Sequence, residues 1–584
     1  MNPISTAEVI PPPGDVDPDL QLKYRAAFWV IAVLSSLLQC WRWRFVIWGD
    51  GVSYLDMGDA YFRHDWRMAV NGVWSPLYSW LIVLPRHLFH VSIDWESTLV
   101  HLVNLVIFVL VLCSFEFFLN VLIHRRVPSE SNQHTMRVPA WALRAIGYAL
   151  FLLSSVTWLT VEATTPDLCV EGIVFLIAGT IVQIRAGDRK WARFAVLGLL
   201  LGAGYLAKAV LFPLALVFLA TAFFAAGATK RALGGVLVAA VIFLLIGSPL
   251  VIALSRAEGR LTYSDSGPLN YLWSVDIPSP FDDPFLSGST ASSASVTETE
   301  RQFGIAAHPP KQLLAEPPMY EFSEPIGGTY PFWYNPEYYY QGLVPRFILR
   351  RQIQVLRSNA FIFFDGAISN EYDVIVAFLA LLFLVPGFRL FVRSFLGNAD
   401  LWVPAVVPLG AYLCLQAQPR YLPGFLLVLW ASLFSSLILP RSQASKTFVW
   451  CITLALVATV SARVLTTAVS DVTHILHDRA NQSGNVAEAL RRMGIQPGDR
   501  VASIGYTFDA YWARLAGVKI VAEIPSAGAG VFWTADSELK STVYDTFAKT
   551  GAKAIVCNRA PPGMPQPAGW QRVESSDYWI RITH

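Results

Sequence analysis

The stretch FWVIAVLSSLLQCWRWRFVIWGDGVSYLDMGD, residues 28–59, joins a long apolar run to three aspartates, Asp50, Asp56 and Asp59. Its first half has the length that carries a helix across a bilayer core, about 20 apolar residues. Its second half sets carboxylates where that run ends. Charge is expensive inside a membrane, so acids held at the mouth of a span are functional candidates. Whether the rest of the chain repeats the first half decides the fold; what the aspartates serve decides the function.

The repetition is there. Of 584 residues, 54% are hydrophobic and only 15% charged, a composition too apolar for a soluble protein of this size. Apolar runs recur near 26–47, 98–122, 141–160, 169–184, 192–207, 209–227, 232–254, 372–393, 401–417, 421–440 and 447–467. They predict a polytopic α-helical membrane protein of about 11 transmembrane helices. A net charge of +2 excludes the basic field that gathers nucleic acid. Six cysteines stand singly, without metal-ligand spacing, so neither a disulfide framework nor a zinc site is indicated.

Lys and Arg are retained on the cytoplasmic side, and they cluster in alternate short loops: Arg125, Arg126 and Arg137; Arg185, Arg189, Lys190 and Arg193; Lys230 and Arg231; Arg389 and Arg393; Arg441 and Lys446. This parity puts the N-terminus in the cytoplasm and the loops 48–97 and 255–370 on the outer side, together with everything after 470. Residues 1–25 are expected to be a disordered cytoplasmic tail, 26–470 the transmembrane domain, and 471–584 an extracytoplasmic domain. From about 484 onwards helices and strands alternate, as in RVASIG (500–505), VKIVAEI (518–524) and AKAIVC (552–557), which predicts a soluble α/β unit with a small parallel sheet. No GxGxxG follows its first strand, and SAGAG (526–530) precedes no clear phosphate-binding helix. The run SPLYSWLIVLPRHLFH (75–90), with two prolines and a basic end, reads as an interfacial helix.

Candidate residues crowd the outer side. Asp50 reads either as a helix N-cap or as a catalytic carboxylate. Asp56 reads as structural or substrate-contacting, and Asp59 with Arg63 as a surface pair four residues apart. Asp167, after Pro166, suits the first turn of a span or a second site carboxylate, and Glu162 competes for the latter role. Lys208 is a lone ammonium between two apolar runs, able to snorkel to headgroups or to neutralise a phosphate. Arg346, with Arg350 and Arg351, reads as an interfacial helix touching lipid headgroups just before a span. Arg420 stands at the outer entry of a later span. The aromatic run GGTYPFWYNPEYYYQGL (327–343), with Trp333 and Tyr334, suits either an interfacial belt or a surface on which sugars stack.

DGVSYLDMG (50–58) with WSPLY (74–78), then TTPDLCVEG (164–172), GYLAKAVLFP (204–213) and PRYLPGF (419–425), in that order and on one side, resemble the GT-C glycosyltransferase superfamily. Within it the similarity is to the bacterial branch related to aminoarabinose transferases and protein O-mannosyltransferases, over roughly 26–470. The resemblance implies a polyprenyl-phosphate sugar donor, a glycan, lipid or protein acceptor, surrounding membrane lipids, and a place in the bacterial cytoplasmic membrane. Asp50 matches the first-loop base, Asp167 the second acidic position, and Lys208 and Arg420 basic positions for the lipid phosphate. The chain departs from the pattern in lacking an Asp-Glu pair in the first loop and in its α/β tail. No cofactor is implied, and the acids leave a divalent metal open. A transporter or flippase of a lipid-linked saccharide is the competing class; it would call for ionisable residues at mid-membrane depth and an internal repeat.

Overall fold

The computed structural model describes residues 18–125, 134–276, 302–322, 327–477 and 481–583, apart from 559, 562, 564 and 575. The tail to residue 17 and Arg126 lie outside the described residues. Every apolar run read above falls on helix. Among the described residues seven helices have full spanning length and apolarity, within 21–43, 93–124, 140–158, 167–185, 230–258 and 349–383, and from Gln443 to His477. Phe388–Gly397 and Ala399–Cys414 form a pair bent by 83°, and Trp191–Ala207, Leu211–Ala225 and Pro423–Ser436 are shorter apolar helices. The expected eleven runs are thus the seven long helices, the bent pair and three short ones. The bundle is that of a multi-pass membrane protein.

Helix α1 (Pro18–Trp43) begins inside the segment read as a tail. After it the chain turns directly into α2 (Gly49–Phe62) and then α3 (Pro76–Leu88), whose thirteen residues include Pro76 at the start and Pro85 inside. Helices α4 (Glu96–His124) and α5 (Asp167–Arg185) pack along each other through the core, and Pro166 starts α5 with its fixed φ. The second large loop ends earlier than expected. Residues 349–383 contain no proline and are helical on both sides of a kink at Glu371 (φ −125°), two segments taken together as α6 (Leu349–Phe383). The stretch expected to lie as a separate interfacial helix is its first part.

The sheet is also larger and more mixed than the sequence implied. Seven strands, β1 (Lys311–Leu314), β2 (Met319–Glu321), β3 (Arg500–Gly505), β4 (Lys519–Pro525), β5 (Ala554–Cys557), β6 (Gln571–Arg572) and β7 (Trp579–Ile582), lie in the order β1-β2-β4-β3-β5-β7-β6. Only β4, β3 and β5 run parallel; β2 and β7 flank them antiparallel. Strands β1 and β2 come from the second loop, so that loop and the C-terminal domain share one sheet. SAGAG, read as preceding no clear phosphate-binding helix, itself opens the helix Ser526–Thr534. A short helix, α7 (Tyr511–Ala516), connects β3 to β4; every residue in it is buried.

Candidate functional site

Asp50, Asp167, Lys208 and Arg420 come from four separate segments and meet in one polar cluster at the end of the bundle that the α/β domain covers. Local structure delivers each of them. Asp50 lies in the first turn of α2; the cap position belongs to Trp48, which makes no side-chain cap bond, so the capping role expected for Asp50 is not the observed one. Asp167 is the first residue of α5. Lys208 follows the helix Trp191–Ala207 with extended backbone (φ −155°, ψ 126°), which breaks the two apolar runs apart and turns the ammonium inward instead of letting it snorkel to headgroups. Arg420 occupies the short 3₁₀ turn Pro419–Tyr421, and Pro423 begins the next helix.

The Lys208 ammonium donates to Asp167 Oδ1 at 2.5 Å, and the Thr165 hydroxyl donates to Asp167 Oδ2 at 2.6 Å. Arg420 Nη2 donates to Asp50 Oδ2 at 2.6 Å, and Arg420 Nε stands 3.5 Å from Asp167 Oδ2. The Tyr421 ring lies 3.5 Å from the Lys208 nitrogen and 5.4 Å from the Arg420 guanidinium carbon. Burial pulls the Arg420 value down, but Asp50, Tyr421 and Asp167 outweigh it and hold its charge firmly. Two acids and two cations balance, yet donor capacity remains: Arg420 Nε is buried without a hydrogen-bond partner. Such an N–H gains from any acceptor brought to it.

Trp333 completes the cluster, donating its indole N–H to Asp50 Oδ1 at 3.0 Å. Its ring stacks on Trp273 (centroids 5.6 Å apart) and meets the edges of Trp74 (5.8 Å) and Phe508 (4.6 Å). The other residues singled out from sequence lie elsewhere. Tyr334 is buried, its hydroxyl donating to the Met68 carbonyl and its own carbonyl accepting from Asn71 and Trp74, so it ties loops together. Glu162 lies near the Arg42–Asp471 pair, and burial, partly offset by Arg42, raises its carboxyl. Arg346 is exposed, and its backbone N–H donates to Asp276.

Asp56 and Asp59 belong to a second cluster built around Arg514 of α7. Arg514 donates to Asp56 at 2.6 Å, to Asp59 at 2.8 Å and to both Glu96 oxygens at 2.7 and 2.8 Å. Asp56 also accepts from the backbone N–H (2.6 Å) and hydroxyl (3.0 Å) of Thr329; His87 bonds Asp59 at 3.1 Å, and Arg86 pairs with Glu96. The surface pair expected between Asp59 and Arg63 gives way to these partners, because Asp59 faces the domain interface and is buried. Burial raises the Asp56 carboxyl despite Arg514, whereas at Asp59 the burial penalty is overcome by Arg514 and Arg86 and the carboxyl falls. Among the described residues no group of three or more His, Cys, Asp or Glu side chains is arranged to hold a metal ion.

Sequence reasoning missed Arg514, Phe508, Trp273 and Tyr421. Arg514 had a signal: in YWARLA it is a lone cation in a helix otherwise apolar all round, which calls for buried acids.

No protein-family model and no curated protein matches the chain. Similar solved structures include the Archaeoglobus fulgidus oligosaccharyltransferase in its apo form, at 13% identity, with 92% of this chain and 70% of that one covered and a TM-score of 0.49. ArnT from Cupriavidus metallidurans bound to undecaprenyl phosphate is similar at 13% identity, covering 97% of this chain and 99% of that one, with a TM-score of 0.39. The Archaeoglobus fulgidus oligosaccharyltransferase AglB in complex with an inhibitory peptide and a dolichol-phosphate is similar at 12% identity over 92% of this chain and 70% of that one, TM-score 0.43.

Proposed function

We propose that this chain is a GT-C-type glycosyltransferase that moves a hexose or pentose from a polyprenyl-phosphate carrier to an acceptor hydroxyl at the outer face of the bacterial cytoplasmic membrane. The motifs in sequence order support it, and the observation that carries it is the convergence of two acids and two cations, one with an unused donor, at the end of a membrane bundle.

Asp50 is the general base. As the acceptor oxygen attacks the anomeric carbon its proton passes to the Asp50 carboxylate, and the bond from that carbon to the phosphate oxygen breaks. A single displacement of this kind inverts the anomeric centre. The electron pair leaves with the lipid phosphate, where Lys208 and Arg420 stabilise the growing charge. Asp167 touches both cations and sets their positions. Because the carrier phosphate is already the leaving group, a soluble nucleotide-binding loop has no task in this scheme. By the alternation of basic loops the cluster faces outward and the Arg125–Asp400–Arg185 cluster at the opposite end faces the cytoplasm.

The test uses membranes containing the full chain and a radiolabelled polyprenyl-phosphate pentose or hexose. Label should leave the polyprenyl-phosphate donor with wild type and fail to do so with Asp50→Asn. Undiminished transfer by that variant removes Asp50 as the base.

A further inference from the structure

The α/β domain does more than sit over the bundle: its first strand-to-helix loop reaches the candidate base. Residues Tyr506–Asp509 follow the carboxyl end of β3, the end of a parallel sheet where loops present functional groups. The Asn558 side chain after β5 grips that loop, accepting from the Tyr506 N–H at 2.8 Å and donating to the Tyr506 carbonyl at 2.9 Å. Phe508, held beyond this clamp, packs near Tyr330 and Tyr506 and reaches the site at two points. Its ring meets Trp333 edge-on at 4.6 Å, and Trp333 is the residue that bonds Asp50. Its backbone carbonyl presses on Gly49, so closely that a Cβ there would stand 2.9 Å from the oxygen and 3.3 Å from the ring. Gly49 immediately precedes Asp50. A glycine at this point of α2 is explained by that approach and not by helix formation, which favours almost any other residue.

Trp333 is therefore boxed by one ring from each outward piece: Trp74 from the first loop, Trp273 from the second and Phe508 from the C-terminal domain. We infer that Phe508 is a positioning residue: it fixes the Trp333 ring so that its N–H orients the Asp50 carboxylate, which makes the α/β domain part of the transfer site. The inference rests on the reading of Asp50 as base for its kinetic consequence, but not for its geometric one.

The experiment takes the full chain in lipid nanodiscs and measures two things. One is the rate of carbodiimide labelling at Asp50, mapped by mass spectrometry; it needs no sugar. The other is transfer from the polyprenyl-phosphate pentose or hexose that wild type turns over. Phe508→Ala should label Asp50 several-fold faster and lower kcat about tenfold, with the donor KM within about twofold, as expected for a lost orienting contact and not a lost binding one. Gly49→Ala, whose methyl displaces the same loop while improving helix propensity, should do likewise, and Phe508→Tyr, which keeps the ring, should match wild type. The double variant Phe508→Ala with Trp333→Phe should be no worse than Trp333→Phe alone. Additive losses in the double variant, or Asp50 labelling unchanged by Phe508→Ala and Gly49→Ala, overturn the inference. If wild type transfers from no such donor while the labelling changes as stated, the base assignment fails and the positioning stands.

Discussion

Helix α2 carries two charge clusters that look alike in composition and differ in kind. Asp50, near its start, bonds Arg420, which with Lys208 also holds Asp167; Asp56 and Asp59, near its end, bond Arg514, which also holds Glu96. In the second cluster Arg514 is 5% exposed and its bonds run to three carboxylates, a closed arrangement that locks the α/β domain to the bundle. In the first, Arg420 is 34% and Lys208 21% exposed, and Arg420 Nε, 3.5 Å from Asp167 Oδ2, makes no hydrogen bond. Saturation marks a clamp; partly exposed cations that keep a donor without a hydrogen bond mark a place for a ligand. The same residue types do both jobs, and only their accounting of donors and acceptors tells them apart.

The largest effect that would break this contrast is on activity. Asp50→Asn should lower kcat by roughly 100- to 10,000-fold, the usual contribution of a general base, while the melting temperature of the purified chain stays close to wild type. Parallel loss of stability would move Asp50 into the clamp's class.

Arg514→Met inverts the expectation. It leaves Asp56, Asp59 and Glu96 buried around a missing cation, and breaking a buried pair this way costs about 3–5 kcal/mol. Limited proteolysis should then release the C-terminal domain at lower denaturant than in wild type, with transfer lost as a consequence. A domain that stays docked and protected would show that the interface is held elsewhere.

What the sequence disclosed follows the same division. Apolar runs are local, and each one appears as helix; Asp167, Lys208 and Arg420 are legible because a charge beside an apolar run must sit at a helix end or break. The Arg514 contacts are not local. They join residues more than 400 positions apart, and the i, i+4 spacing of Asp59 and Arg63 offered a nearer but weaker partner. Strands β1 and β2 are too short to show a period of two, so their membership in the sheet rests on the pairing of β2 with β4 and of β1 with β2, which no local pattern announces. Phe508 is one more aromatic residue in an aromatic-rich chain; only the close approach to Gly49 singles it out.

A smaller effect sharpens the open cluster. Lys208→Met should weaken use of the polyprenyl-phosphate donor by about 10- to 100-fold, the worth of one hydrogen bond to a charged group. The loss should appear in kcat/KM and leave the domain's protease resistance untouched. A comparable acceleration of domain release would place Lys208 among the clamp residues.

The smallest effect concerns a carboxylate that pairs with no cation among the described residues. Glu523 on β4 is buried, and its oxygens accept from the Tyr330 hydroxyl at 3.0 and 3.1 Å. Burial pushes its carboxyl from the usual range up to about 7, against the pull of Thr507 and Tyr330. Below the ordinary carboxylate range both folded and unfolded chains hold this proton, so pH has no leverage there. Between that range and about 7 the unfolded chain has lost the proton and the folded chain keeps it. Stability must then fall as pH rises, by at most about 1.4 kcal/mol per pH unit, and level off once both states are ionised. Glu523→Gln removes the titration, and its side chain can still accept from Tyr330. Hydrogen exchange of β4, followed from pH 5 to 8 and corrected for intrinsic rates, should show protection declining with pH in wild type and flat in the variant. Equal slopes in the two would mean that Glu523 is compensated as fully as Asp59, and that the absence of a cation at this position does not distinguish it from the clamp.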